Sequence, residues 1–299
     1  MKHTLKITLF LVILFFIAQL IGLLILSKNV VVMESTSGVI NIKHFDTIVG
    51  PSLQQPPKFT FWYFIIAFLI GTGIILILVK LKKIKWWKVL FFLTLWMTMS
   101  ITFSVFMSDI LALILSMFLT FWRMLKPNTI IRNLSELFIY AGIAIIFVPV
   151  LDIFWTITLL LVISTYDIFA VRKSKHMVKM MEFMTKDSNN AFAGMAIPYK
   201  KENPNEKKHV AVLGGGDIAF PLLFVGVVME HLILVDMFSK ITAFFLSSII
   251  ILIVTLSLFF LLLYSEKDKF YPAMPYLTCG CLAGYSIVWG LARMLLLVN

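Results

Sequence analysis

Charged residues are scarce in this sequence. Asp, Glu, Lys and Arg together make up 14% of the 299 residues, whereas hydrophobic residues make up 61%. A typical water-soluble domain has about 25% charged residues, so this composition excludes an ordinary soluble domain. The apolar residues fall in long, near-continuous runs, which is typical of membrane-spanning helices. The sequence therefore predicts an all-α, multi-pass membrane protein.

Cysteine is nearly absent as well. The two cysteines, Cys279 and Cys281, are separated by one residue in an apolar segment. This spacing excludes a disulfide framework and does not fit a metal site, which needs more ligands at other spacings. We interpret both as small packing residues, and the sequence predicts neither a metal nor a cofactor.

Basic residues outnumber acidic ones, and the net charge is +11. No basic stripe carries a nucleic-acid motif, so a nucleic-acid partner is not predicted. In a multi-pass membrane protein, Lys and Arg collect in cytoplasmic loops. With the N-terminus inside, 21 Lys and Arg fall on the inner side of the predicted spans and four on the outer side. This asymmetry predicts a cytoplasmic N-terminus and an outside C-terminus, in the cell membrane.

The apolar runs predict nine spans in two groups. Residues 1–171 hold spans one to six, and residues 209–299 hold spans seven to nine. The predicted spans are 7–27, 59–79, 89–107, 110–125, 134–150, 153–171, 210–235, 241–264 and 272–298.

Polar segments connect these spans. Residues 28–58 are predicted to form a loop, and another loop holds Arg123, Lys126, Pro127 and Arg132. Residues 172–208 are predicted to form a cytoplasmic segment that is part amphipathic and part flexible. Its amphipathic part has methionines at helical spacing: Met177, Met180, Met181 and Met184.

Two acidic residues lie at membrane depth in this scheme. Asp217 follows three glycines at 214–216, and apolar sequence continues beyond it, so we expect it inside span seven rather than at its edge. Asp167 lies near the end of span six. Asp167 is five residues before Arg172, and Asp217 is nine residues after Lys208, so their depths differ by about 6 Å. Antiparallel neighbouring helices would bring both carboxyls to one level.

A close carboxyl pair is suited to hydrolysis of a peptide bond. Two like charges a few ångströms apart cannot both ionise cheaply, so the pair shares a proton. One carboxyl can then activate water while the other polarises the peptide carbonyl. The glycines before Asp217 would allow close backbone approach and could offer backbone groups to an extended substrate.

A transporter or cation channel that uses the same acids as ion ligands is the main alternative. An intramembrane acid pair alone permits it, although no internal repeat is evident in the sequence. A second alternative is a prepilin-peptidase-like protease, which shares the Gly-x-Gly-Asp pattern.

Three short motifs resemble those of one family of proteases. Tyr166-Asp167 is similar to its Tyr-Asp motif, and Gly214-Gly215-Gly216-Asp217 matches its Gly-x-Gly-Asp motif. Pro272-Ala273-Met274 resembles its Pro-Ala-Leu motif, with Met in place of Leu. The family is the presenilin and signal peptide peptidase group of intramembrane aspartyl proteases, and the chain resembles a microbial, archaeal-type homologue.

The resemblance implies a presenilin-like fold and catalytic roles for Asp167 and Asp217. It also implies that Tyr166, the glycines at 214–216 and the segment Pro272–Met274 shape the site or contact substrate. The expected substrates are transmembrane segments of membrane proteins or signal peptides, cleaved within the lipid bilayer. The inferred orientation resembles that of presenilin, which favours substrates whose N-terminus is outside. The sequence is also compatible with a homo-oligomer.

Overall fold

The computed structural model describes residues 5–34, 40–44, 57–81, 84–125, 128–171, 194–199, 209–265 and 271–298. This part of the chain forms nine α-helices and two β-hairpins. The helices are α1 Leu5–Asn29, α2 Pro57–Lys80, α3 Ile84–Ser104, α4 Asp109–Leu125, α5 Thr129–Phe147, α6 Ile153–Phe169, α7 Gly215–Leu234, α8 Lys240–Tyr264 and α9 Met274–Val298.

The predicted all-α membrane fold is confirmed, and each helix begins and ends within about five residues of a predicted span. Six helices (α1, α3, α5, α7, α8 and α9) are long and apolar enough to cross a membrane by themselves. A helix satisfies all its internal backbone groups, which is why apolar runs adopt this form in lipid. Side-chain caps start α5, α6 and α8: Asn128 accepts from the Ile130 N–H at 2.9 Å, Asp152 from the Trp155 N–H at 2.8 Å and Ser239 from the Thr242 N–H at 3.2 Å.

Two antiparallel hairpins were not predicted. In the first, β1 (Val30–Glu34) pairs with β2 (Ile40–His44), within the segment predicted as a loop. In the second, β3 (Gly194–Tyr199) pairs with β4 (His209–Gly214). The prediction of a flexible segment is therefore wrong for β3, and the prediction that span seven begins near residue 210 is wrong for β4. The predicted amphipathic helix with its four methionines lies outside the described residues.

Helix α7 forms the centre of the bundle. It contacts α1, α5, α6, α8 and α9, and nearly all of its side chains beyond the first turn are buried. Close packing leaves no room at Gly226, where an added Cβ would meet Val148 Cγ2 at 2.7 Å and Leu26 Cδ1 at 2.8 Å. At its far end, the Glu230 carboxylate contacts His44 Nε2 of β2 at 2.7 Å, which ties the first hairpin to the core.

A buried ion pair connects α4 and α5. The Arg123 guanidinium contacts the Glu136 carboxylate, and their side chains are only 1% and 0% exposed. Arg123 also donates to Ser135 Oγ at 2.6 Å. Arg132 is buried beside the pair, in the first turn of α5. The prediction that Arg123 and Arg132 belong to an interhelical loop is wrong, because the Glu136 carboxylate compensates their charge inside the helices.

Candidate active site

Asp167 lies near the C-terminal end of α6, and its side chain is buried. The backbone N–H of Met274, the first residue of α9, donates to Asp167 Oδ2 at 3.1 Å. Ala273 supplies a second backbone hydrogen bond to the same carboxylate. The first N–H groups of a helix have no partner within the helix and carry partial positive charge. The start of α9 therefore holds and orients the Asp167 carboxylate.

A second contact fixes the register of α6 against α9. One turn before Asp167, Ser164 Oγ lies 2.7 Å from Thr278 Oγ1, one turn into α9. The two helices run antiparallel, so the contacts at 167–274 and 164–278 follow one line along the interface. Both hydroxyls are buried. This interface places the Pro272–Met274 segment beside Asp167.

Asp217 lies in the first turn of α7, with Gly214 as the N-cap residue. The expectation that Asp217 lies well inside a span is wrong, because the chain before Gly215 forms a strand. The Gly214 N–H donates to the Asp217 carboxylate. A Cβ at residue 214 would lie 2.9 Å from Asp217 Oδ2, so this return contact requires glycine.

Asp167 and Asp217 lie on neighbouring helices, α6 and α7, close enough for their carboxyls to interact electrostatically. Asp217 is partly exposed, whereas Asp167 is buried. One carboxyl is thus fixed within the helix interface and the other is open on one side.

The remaining motif residues surround this pair in different ways. Tyr166 points outward with 40% of its surface exposed, and Gly216 is exposed beside Asp217. Pro272 and Met274 are buried, and Ala273 is half-buried. Met274 has 4% exposure and packs in the hydrophobic core, where the family motif has Leu.

Side chains that the sequence did not indicate also hold the site. Gln19 of α1 donates from Nε2 to the carbonyl oxygen of Ile218 at 2.8 Å, directly after Asp217. Asn133 of α5 makes two hydrogen bonds to Ala196 of β3. These contacts join residues 199 and 63 positions apart, so no local pattern could have pointed to them. Among the described residues, no three His, Cys, Asp or Glu side chains are grouped as a metal site would require.

A bundle of apolar helices that brings two carboxyls close together defines a class of membrane protein suited to acid–base chemistry. The sequence matches the family described as signal-peptide peptidase, presenilin aspartyl protease over residues 21–294. The chain belongs to this family, and it is an intramembrane aspartyl protease that acts on transmembrane substrates in a bilayer. The transporter and prepilin-peptidase alternatives are thereby set aside. No curated protein sequence gives a significant match.

Solved structures show the same fold. A presenilin family intramembrane aspartate protease crystallised in space group C222 superposes with a TM-score of 0.59 at 17% identity, covering 95% of this chain and 99% of that one. The structure of such a protease in space group P2 gives a TM-score of 0.56 at 17% identity, covering 97% and 99%. The predicted presenilin-like architecture is confirmed.

Proposed function

We propose that Asp167 and Asp217 are the catalytic dyad of this protease. The observation that carries the proposal is the electrostatic interaction of the two carboxyls on contacting helices, each carboxyl with a backbone donor that orients it. Both acids lie on apolar helices, where a carboxyl is costly, so the pair is a hypothesis of function by default.

The dyad would act on water and on the peptide bond together. One carboxylate takes a proton from water, and the resulting nucleophile attacks the peptide carbonyl carbon. The other carboxyl, protonated, donates a hydrogen bond to the carbonyl oxygen and then supplies the proton that the leaving nitrogen needs. The electrostatic contact between the two carboxyls favours a state in which they share one proton.

The surrounding motif residues would have positioning roles. The Pro272–Met274 segment fixes Asp167 through its backbone N–H groups, and Pro272 restricts the backbone just before them. Gly214 admits the Asp217 carboxylate, and Gly215 and Gly216 add no side chain between it and Asp217 along the chain. Tyr166 is exposed next to Asp167, where it can contact substrate.

Strand β4 offers a way to hold an extended substrate. It pairs with β3 on one side only within the described residues, and it leads directly into the turn that carries Asp217. A substrate helix must unwind before a dyad can reach its backbone. Pairing with the free edge of β4 would stabilise the unwound segment by backbone hydrogen bonds. This supports transmembrane segments and signal peptides as substrates.

The charge distribution supports an N-terminus in the cytoplasm and a C-terminus outside, in the cell membrane. With this orientation the dyad lies toward the cytoplasmic side, because α6 ends there and α7 begins there. Because α7 would run from the inside to the outside, a substrate with an outside N-terminus would cross the membrane antiparallel to α7.

Replacement of either acid by its amide tests the dyad. Asp167→Asn and Asp217→Asn should each abolish cleavage of a single-span substrate by purified protein, because the amide cannot take a proton from water. The double variant should lose no more than either single variant, because the two residues act as a unit. Wild-type activity should follow a bell-shaped pH profile whose two pKa values belong to the pair.

Asp152→Asn is the matched control. It makes the same chemical change at an N-cap, where Asn serves as well as Asp, and it should keep wild-type turnover. Cleavage at the wild-type rate by either dyad variant, with the variant's fold intact, would disprove the assignment.

A further inference from the structure

Asn133 binds the backbone of β3 as a neighbouring strand would. Its Oδ1 accepts from the Ala196 N–H at 3.0 Å, and its Nδ2 donates to the Ala196 carbonyl oxygen at 3.0 Å. The two bonds use both backbone groups of one residue. Ala196 itself is fully buried. A single side chain of α5 thus occupies the middle of the outer edge of β3.

The antiparallel register then determines which edge of the hairpin is open. Because both groups of Ala196 point to Asn133, they point away from β4, and so the groups of its partner Val212 point to the far edge of β4. Gly214 lies two residues after Val212, so its backbone groups face the same way. Its N–H accordingly turns away from β3 and donates to the Asp217 carboxylate. The hairpin therefore has one closed edge, on β3, and one edge aligned with Asp217, on β4.

The two Asn133–Ala196 hydrogen bonds form a clamp, and buried residues surround it on both sides. Glu136, three residues beyond Asn133 in α5, is held by the buried Arg123 of α4, and the neighbouring Ser135 accepts from the same guanidinium. On the strand side, Met195 and its partner Leu213 are buried in the hydrophobic core. Asn133 thus joins two buried parts of the protein.

We propose that Asn133 is a positioning residue that sets where the substrate is cut. By closing β3 it leaves β4 as the edge available to an extended segment, and by fixing the hairpin against α5 it sets the register of that segment relative to Asp217. A side-chain period of two means that a slipped substrate would present a bond two residues away. The inference rests on the proposed dyad as the site of cleavage.

Two variants separate the clamp from general stability. Asn133→Leu removes both hydrogen bonds at similar size, and Asn133→Asp keeps the acceptor but sets a carboxylate against the Ala196 carbonyl. The control is Asn128→Ala, which removes the side-chain cap of the same helix and leaves β3 untouched.

The first measurement needs no substrate. Hydrogen–deuterium exchange of the segment 194–199 should speed up by roughly tenfold in Asn133→Leu, the factor that one or two ordinary hydrogen bonds supply. Asn128→Ala should leave exchange in this segment unchanged. Equal exchange in wild type and Asn133→Leu would overturn the clamp, whatever the catalytic residues are.

The second measurement uses mass spectrometry of the products from one single-span substrate in defined lipid vesicles. Asn133→Leu and Asn133→Asp should spread the cuts to bonds about two residues from the main site and raise KM about tenfold, with a smaller change in kcat. Asn128→Ala should keep the wild-type pattern. A wild-type distribution of cuts and an unchanged KM in both Asn133 variants would refute the positioning role. Failure of the dyad proposal would look different, as full cleavage by the Asp167→Asn or Asp217→Asn variant.

Discussion

The ion pair between Arg123 and Glu136 makes Glu136→Gln a sharp test of the packing that supports the site. Both side chains are at most 1% exposed, so water cannot screen the guanidinium once its partner is neutral. Gln keeps the volume and one acceptor, and Ser135 Oγ at 2.6 Å and the Phe91 ring at 5.4 Å still contact Arg123. Gln lacks the negative charge that compensates the Arg123 guanidinium. Breaking a buried pair by removing one partner costs about 3–5 kcal/mol.

A second cation raises this cost. Arg132 interacts electrostatically with both Arg123 and Glu136, so one carboxylate compensates two guanidinium charges. With Gln at 136, the two cations repel each other without compensation. We therefore expect a loss near 5 kcal/mol, the upper end of that range, in the free energy of unfolding.

The assay is equilibrium unfolding of purified protein in detergent, with Arg123→Met and Glu136→Leu completing a double-mutant cycle. Replacing both charges by apolar side chains of similar volume can be nearly neutral, so the Arg123→Met/Glu136→Leu protein should be more stable than either single variant. Asp109→Asn, an exposed acid at the start of α4, is the control and should leave the unfolding midpoint nearly unchanged. A Glu136→Gln midpoint equal to wild type, or single effects that simply add in the double variant, would refute the reasoning.

Three further outcomes follow from the site and the charge distribution. Gly216→Leu should lower activity strongly while the melting temperature stays near wild type, because an added Cβ meets only Phe220 at 3.4 Å but places bulk at the exposed residue next to Asp217 in the chain. Gly290→Leu, with no atom within 4 Å of its Cβ, should change neither. Wild-type turnover by Gly216→Leu would contradict this. Pro272→Ala should lower turnover several-fold, because it loosens the N–H groups that hold Asp167. The control Pro149→Ala, in the 3₁₀ turn, should keep wild-type turnover. Wild-type turnover by Pro272→Ala on several substrates would argue against a positioning role. A reporter fused at Asn299 should report an outside location, because Lys and Arg are in excess on the predicted inner side. A cytoplasmic signal would mean that the protein has the opposite orientation.

The sequence predicted the helices well because their signal is local. An apolar run of about 20 residues has one stable form in lipid, and this fixed all nine helices to within a turn or so. The acid pair was also predictable, because Asp167 and Asp217 are rare charges in apolar surroundings on consecutive spans. The motif resemblance also pointed to the segment 272–274, which the structure places against Asp167.

The hairpin of β3 and β4 had no comparable signal. Val210, Val212 and Leu213 continue smoothly into the apolar run of α7, so periodicity extended the helix backward through them. Only pairing with Gly194–Tyr199 makes them a strand, and that pairing spans a polar connection. The burial of Arg123 was missed for a related reason. A lone Arg near a proline predicts a loop, and the compensating Glu136 becomes a neighbour only when α4 and α5 fold together.

The central position of α7 limits how this protease can vary. From Ile218 to Ile233 this helix is enclosed by other helices, and Gly226 cannot gain even a methyl group without displacing Val148 and Leu26. Most surfaces of a membrane protein tolerate exchange of one apolar residue for another, since lipid adapts to any shape. A helix surrounded by protein has no such freedom. Asp217 therefore lies at the start of a helix that has little freedom to change, and we expect lineages that acquire new substrates to vary the strands and loops that adjoin it.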